Sequence, residues 1–157
     1  DEYYDGEKSD IWDNGYVIVD FENGSRAMLE LCMFADVSTF QEEISAVGNE
    51  GKIECKLIGP KRFWDISGIE QPVSSIIKND RRSRTITTSH IPVDPILLEA
   101  GDHNGSTFFQ HMEFQKMLLG ERSVEVSVED GVWAVRMGLA AQRSVLEKRF
   151  IKMSEIV

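Results

Sequence analysis

Short strand-like apolar runs recur between residues 16 and 91, and the period lengthens toward that of a helix only after residue 105. The clearest signal runs from Tyr16 to Phe34, where two apolar runs flank Glu22-Asn23-Gly24-Ser25. Asn-Gly is the strongest short hairpin signal, because a two-residue type I′ turn needs positive φ at both central positions. With Asn23 and Gly24 as that turn, Phe21 faces Arg26, Val19 faces Met28 and Val17 faces Glu30. One face then carries Val17, Val19, Phe21, Met28, Cys32 and Phe34, with Arg26 and Glu30 among them. The other carries Tyr16, Ile18, Leu29, Leu31 and Met33. Neither face is polar, so the pattern predicts a central pair of strands covered on both sides.

Further strands are predicted at 38–47, at 52–57 after the turn Gly48-Asn49-Glu50-Gly51, at 62–66, and at 84–91. Residues 67–79, with Pro72 and a Ser-Ser pair, read as an irregular excursion. Roughly six strands make a usual sheet. Helices follow: one over 107–119, opened by Ser106 and ended by Gly120, and a long one from a capping-box-like Ser127-Val-Glu-Asp130 to about Lys148. A stripe of Gly131, Ala134, Gly138 and Ala141 on the long helix predicts close approach to a neighbouring surface, and Phe150-Ile-Lys-Met reads as a final short strand. Strands first and helices last give an α+β domain: a predominantly antiparallel open sheet of about six strands, C-terminal helices on one face, the other face free for oligomerisation. Residues 1–13 read as an irregular lead-in and 14–157 as one domain.

Composition narrows the function by exclusion. The chain has 157 residues, enough for one domain that buries roughly 70% of its extended surface. Acidic residues outnumber basic ones 27 to 17, a net charge of −10 that disfavours nucleic acid as a partner. Arg81-Arg82-Ser83-Arg84 is the only dense basic cluster and reads as a solvated loop. No apolar run is long enough to span a bilayer. The two cysteines, Cys32 and Cys55, lack metal or redox spacing and are expected as buried free thiols in a reducing, cytoplasmic setting. The start, Asp-Glu-Tyr-Tyr-Asp without an initiating Met, reads as a linker within something longer.

Candidate chemistry is sparse. His103 lies in the polar loop Gly101-Asp-His-Asn-Gly-Ser106 at a helix start, where backbone N–H groups favour oxygen-rich ligands, and Asp102 and Asn104 are placed to share the pocket. The same residues also suit a simple turn and cap. His90 and His111 carry no role. No His-Glu-x-x-His, Gly-x-Ser-x-Gly or Gly-x-Gly-x-x-Gly motif occurs. The residues alone therefore stop at a soluble α+β domain.

Three segments in order go further: Tyr16–Ala27, Ala46–Glu54, and Gly101–Ser106 with Phe109 and Glu113-Phe114. Together with Val126 to Ser144 they resemble the C-terminal domain of the Gfo/Idh/MocA family, that of glucose–fructose oxidoreductase and inositol dehydrogenase. The resemblance spans about Asp13 to Met153. It implies a two-domain NAD(P)-dependent oxidoreductase acting on a small sugar or polyol, whose N-terminal dinucleotide-binding domain and Glu-Lys-Pro motif are not in this sequence. The family's Asp-x-x-x-His pattern is also missing, so no catalytic residue carries over and this chain is expected to bind no cofactor and to be inactive alone. His103, with Asp102 and Asn104, is expected on the substrate side. The open sheet face is expected to form a homo-oligomer through Val17, Val19, Phe21, Met28, Glu30 and Phe34. A non-catalytic dimerisation module and the matching domain of an NAD-dependent glycosidase are the alternatives.

Overall fold

The computed structural model describes residues 6–7, 9–35, 38–61, 70 and 72–156. It falls into two compact units: the chain before Met33 together with Lys116 onward, and Met33–Gln115. Among the described residues there are six strands, all paired antiparallel, but they form two sheets, one of two strands and one of four.

The two-stranded sheet pairs β1 (Asn14–Asp20) with β2 (Arg26–Cys32). Its register differs from the two-residue reading by one position: Asp20 faces Arg26, Ile18 faces Met28, Val17 faces Leu29 and Tyr16 faces Glu30. The loop closes by Phe21 N–H donating to Ser25 O at 3.0 Å and Gly24 N–H to Phe21 O at 2.9 Å, with Gly24 alone at positive φ, +83°. That is a three-residue loop ending in a left-handed Gly, which adds one residue to the connection. Asn23 stays at negative φ and accepts from the Ser25 N–H instead. Because side chains alternate, one residue of slip moves every β2 side chain to the opposite face relative to β1. One face therefore carries Val17, Val19, Ala27, Leu29 and Leu31, and the other Tyr16, Ile18, Met28 and Glu30. Tyr16 Oη donating to Glu30 at 3.0 Å and Arg26 pairing with Asp20 agree with this sorting.

In the same unit lies the long helix, Val128–Glu147, opened by the capping box as predicted. Ser127 Oγ accepts from Asp130 N–H at 3.1 Å, and the Asp130 carboxylate accepts from Ser127 N–H at 2.8 Å. Those bonds hold the Asp130 carboxyl below its usual range. Lys148 ends the helix in the left-handed region, φ 53°. Beyond it the expected strand at 150–153 is not formed; the tail makes a 3₁₀ turn, Met153–Glu155. Ile151 and Ile156 bury against Ala140, so the tail packs on the helix where only a small side chain allows it. Arg136 donates to the carbonyls of Met153 and Ile156, and Arg143 to that of Glu155 at 3.1 Å. Arg136 also stacks over Trp133 at 4.9 Å. At Gly131 and Gly138 an added Cβ would meet nothing within 4 Å, so these two members of the small-residue stripe make no close approach to the described residues.

The second unit holds the four-stranded sheet in the order β3 (Phe40–Gly48), β4 (Gly51–Ile58), β5 (Ser74–Asp80) and β6 (Thr85–Ile91). β5 occupies part of the stretch read as irregular: Ser-Ser-Ile-Ile-Lys-Asn-Asp is too short and too polar to alternate clearly. Its two serines are instead among the most buried residues of the chain. The strand predicted at 62–66 lies outside the described residues. β3 and β4 are joined through Gly51, at φ 152°, where a Cβ would fall 1.9 Å from the Asn79 carbonyl oxygen; the close approach of β5 requires Gly there. The arginine cluster is the β5–β6 turn, as read, with Ser83 N–H donating to Asp80 at 2.7 Å. One sheet face carries the ion pairs Lys52–Glu54 at 2.8 Å and Lys56–Glu43 at 3.2 Å. A short helix α1 (Pro95–Glu99), missed in the sequence, is capped by Asp94, and α2 (Ser106–Leu118) matches the predicted helix within one residue. The long helix is α3.

Candidate functional site

The loop between α1 and α2 is built on conformations that few residues tolerate. Asn104 sits at φ 52° and Gly105 at φ 82°, the left-handed pair that Asn-Gly accepts at low cost. Gly105 lies against Leu97 of α1, since a Cβ there would come within 2.9 Å of Leu97 Cδ1. His103 O accepts from Ser106 N–H at 2.9 Å, and Gly105 O from Phe109 N–H at 3.0 Å, which starts α2 directly from the turn.

The Asn104 side chain reaches the sheet. Its Nδ2 donates to Ile58 O at 2.6 Å, at the end of β4. Ile58 is only 3% exposed, and its own N–H donates to Ser74 Oγ at 3.2 Å. Both polar groups of this buried backbone unit are thus satisfied by side chains, one from β5 and one from the loop. Gly59 and Pro60 beside it are buried too, and Lys61 pairs with Glu99 at the end of α1. Asn104 thus anchors the loop to the sheet through its amide Nδ2.

Asp102 and His103 occupy consecutive turn positions and are both exposed. They are thus neighbours on an exposed turn, next in the chain to the anchor made by Asn104 with Ile58. Such a pair can accept and donate hydrogen bonds to hydroxyl groups. The anchor could have been sought in the sequence from Asn104-Gly105, the same pair as in the hairpin turn; its partner at Ile58, 46 residues away, left no local signal.

The six residues expected at the oligomer interface do not share a face. Val17 and Val19 lie on one side of the hairpin, Met28 and Glu30 on the other, Phe21 closes the turn and Phe34 lies beyond β2. The cause is the extra residue in the loop. Nor is either face closed in this chain: Tyr16 is 72%, Met28 68% and Ile18 61% exposed on one side, Leu29 56% on the other. Cys32, expected to be buried, is exposed on β2, and Cys55 is half-buried; both are free thiols.

Among the described residues no group of His, Cys, Asp or Glu could hold a metal ion, and no helix is long and apolar enough to cross a membrane. A dinucleotide would need a Gly-rich turn between a strand and a helix of a parallel unit. All strand pairings here are antiparallel and the sequence holds no Gly-x-Gly-x-x-Gly, so the described residues do not fit that cofactor.

A family model described as the oxidoreductase family, C-terminal alpha/beta domain, of the Gfo/Idh/MocA proteins matches residues 2–153. No curated protein matches the chain. The chain belongs to the Gfo/Idh/MocA oxidoreductase family, as its C-terminal domain.

Proposed function

We propose that, within this family, the chain is the substrate-binding and oligomerisation domain of an NAD(P)-dependent, cytoplasmic oxidoreductase of small sugars or polyols, and that alone it transfers no hydride. The observation that carries the reading is the match over residues 2–153 to the C-terminal domain of an oxidoreductase family. The absence of a dinucleotide fingerprint from the sequence supports the second half of the statement. Cofactor and catalytic base then come from an N-terminal domain.

In this reading Asp102 and His103 receive substrate hydroxyls, and Asn104 acts through the loop as a positioning residue. The hairpin face of Tyr16, Ile18, Met28 and Glu30 meets a second copy. A half-exposed hairpin normally keeps one polar face, and this one exposes apolar residues on both. That same exposure favours a second reading, a dimerisation module without substrate contact.

Two titrations separate the readings. Calorimetry with NAD(P) is expected to show no micromolar binding; such binding would overturn the inactive-domain statement. Adding a polyol such as inositol is expected to shift the amide resonances of Asp102 and His103, and His103→Ala is expected to abolish that shift. A dimer with no polyol response would favour the module, and a strict monomer by light scattering at every concentration would remove the oligomerisation role.

A further inference from the structure

The four-stranded sheet ends in two edges that are finished differently. At β3 the edge carries Glu42 and Glu43 and a register irregularity between Phe40 and Glu42. Charges and bulges are the two devices by which edge strands avoid pairing with another chain. β6 has neither. It reads Thr-Ile-Thr-Thr-Ser-His-Ile, without a carboxylate, ammonium, guanidinium, Pro or Gly; its pairing with β5 is regular throughout. All seven residues are exposed, and among the described residues no strand pairs with its outer side. Alternate residues of an edge strand present unpaired N–H and C=O groups, so β6 offers a regular, uncharged ladder.

We propose that β6 pairs edge to edge with β6 of a second copy of this chain, antiparallel about a two-fold axis through Thr88, to join two four-stranded sheets. Self-complementarity selects this occupant. Centring on Thr88 uses the whole strand and opposes Thr88 to Thr88, Thr87 to Ser89, Ile86 to His90 and Thr85 to Ile91. The two central pairings are hydroxyl–hydroxyl, of the kind that stabilises antiparallel neighbours; the two outer ones set Ile beside His and Thr beside Ile, and no like charges face one another. Beyond the strand ends the same two-fold brings the arginine turn, Arg81-Arg82-Ser83-Arg84, of each copy toward the Pro92–Asp94 end of the other. Arginines then lie near an exposed carboxylate, in a chain whose overall charge is −10. This surface is separate from the β1–β2 hairpin, and its test does not depend on the hairpin's role.

Cysteine placement tests the register. In a Cys32→Ser, Cys55→Ser background, Thr88→Cys places two thiols across the axis. Antiparallel neighbours lie about 4.5–5.5 Å apart at Cα, within the span of a disulfide. Thr85→Cys places its two thiols about 20 Å apart, at about 3.3 Å per residue along the paired strands. Mild oxidation is expected to link Thr88→Cys at least ~10-fold more than Thr85→Cys, given the distance limits of the bond. Equal linking of the two, or none at Thr88→Cys, would overturn the pairing. Thr88→Lys in the native background is expected to remove that dimer in sedimentation while leaving unchanged the far-UV spectrum and the melting of the dilute, monomeric chain. Edge pairing that survives the lysine, or fibres in place of a closed dimer, would count equally against it.

Discussion

The β1–β2 hairpin and the β3–β6 sheet obey the same alternation yet are held differently. The four-stranded sheet has interior strands, ion pairs across one face, and a buried corner where Ile58, Ser74 and Asn104 satisfy one another. The hairpin has a well-formed turn and a full ladder, but its apolar side chains remain in solvent. An isolated two-stranded hairpin is marginal in water. Turn chemistry therefore decides that the hairpin forms and in what register, whereas cover decides how much it contributes to stability. The difference teaches that a strong local signal is not a measure of stabilisation.

The same substitution in the two regions gives the largest contrast. Ile58→Ala removes buried methyl groups at 3% exposure and is expected to cost about 2–4 kcal/mol. Ile18→Ala acts at 61% exposure and is expected to fall within about 0.5 kcal/mol for the single chain. Urea unfolding of both variants at a concentration where the chain is monomeric checks this, and equal losses would break the comparison. Asn104→Ala is next. It leaves the Ile58 carbonyl without its side-chain donor and puts a Cβ residue less suited to φ 52° in the turn, an expected cost of about 1–3 kcal/mol. Because the anchor also sets the loop, the polyol-induced shifts at Asp102 and His103 should weaken together with the lost stability.

The smallest effect concerns the tail on α3. Arg149 grips Glu155 through two bonds of 2.6 and 3.2 Å, and Lys152 N–H adds a third at 3.0 Å. The Arg149 bonds are the main cause that pulls the Glu155 carboxyl from 4.5 to about 2, while the same contacts raise the Arg149 guanidinium. A depressed carboxylate stabilises above its unfolded pKa and loses that contribution as pH falls through the folded value. The tail is thus expected to be fully held above about pH 4.5 and to loosen toward pH 2. A carboxyl-carbon NMR titration of Glu155 checks it; a midpoint at the ordinary glutamate value would show that the grip is absent in solution.

Much of the fold was legible because its signals are local. The capping box at Ser127, the end of α3 at Lys148, the turn at Asn49-Glu50 and the arginine turn all follow from neighbouring residues. The hairpin register was missed locally, through one extra loop residue, but other misses share one cause, dependence on distant partners. β5 was hidden because Ser74 and Ser75 are polar and become buried only by satisfying backbone such as that of Ile58. The bond from Asn104 to the sheet was not foreseen because its partner lies 46 positions earlier. The tail was read as a strand because Ile151 is apolar, while its actual docking needs Arg136 and Arg143 from the helix.

The left-handed Gly24 has one more consequence, for how this chain tolerates insertions and deletions. The ladder is insulated from loop length. Shortening Glu22-Asn23-Gly24 to two residues would keep Phe21 opposite Ser25 and Asp20 opposite Arg26, so Leu29 and Leu31 would stay on the Val17 side and Met28 and Glu30 on the Tyr16 side. A lineage that drops or gains a single residue between Phe21 and Ser25 would reshape the turn and spare every pair of the two strands.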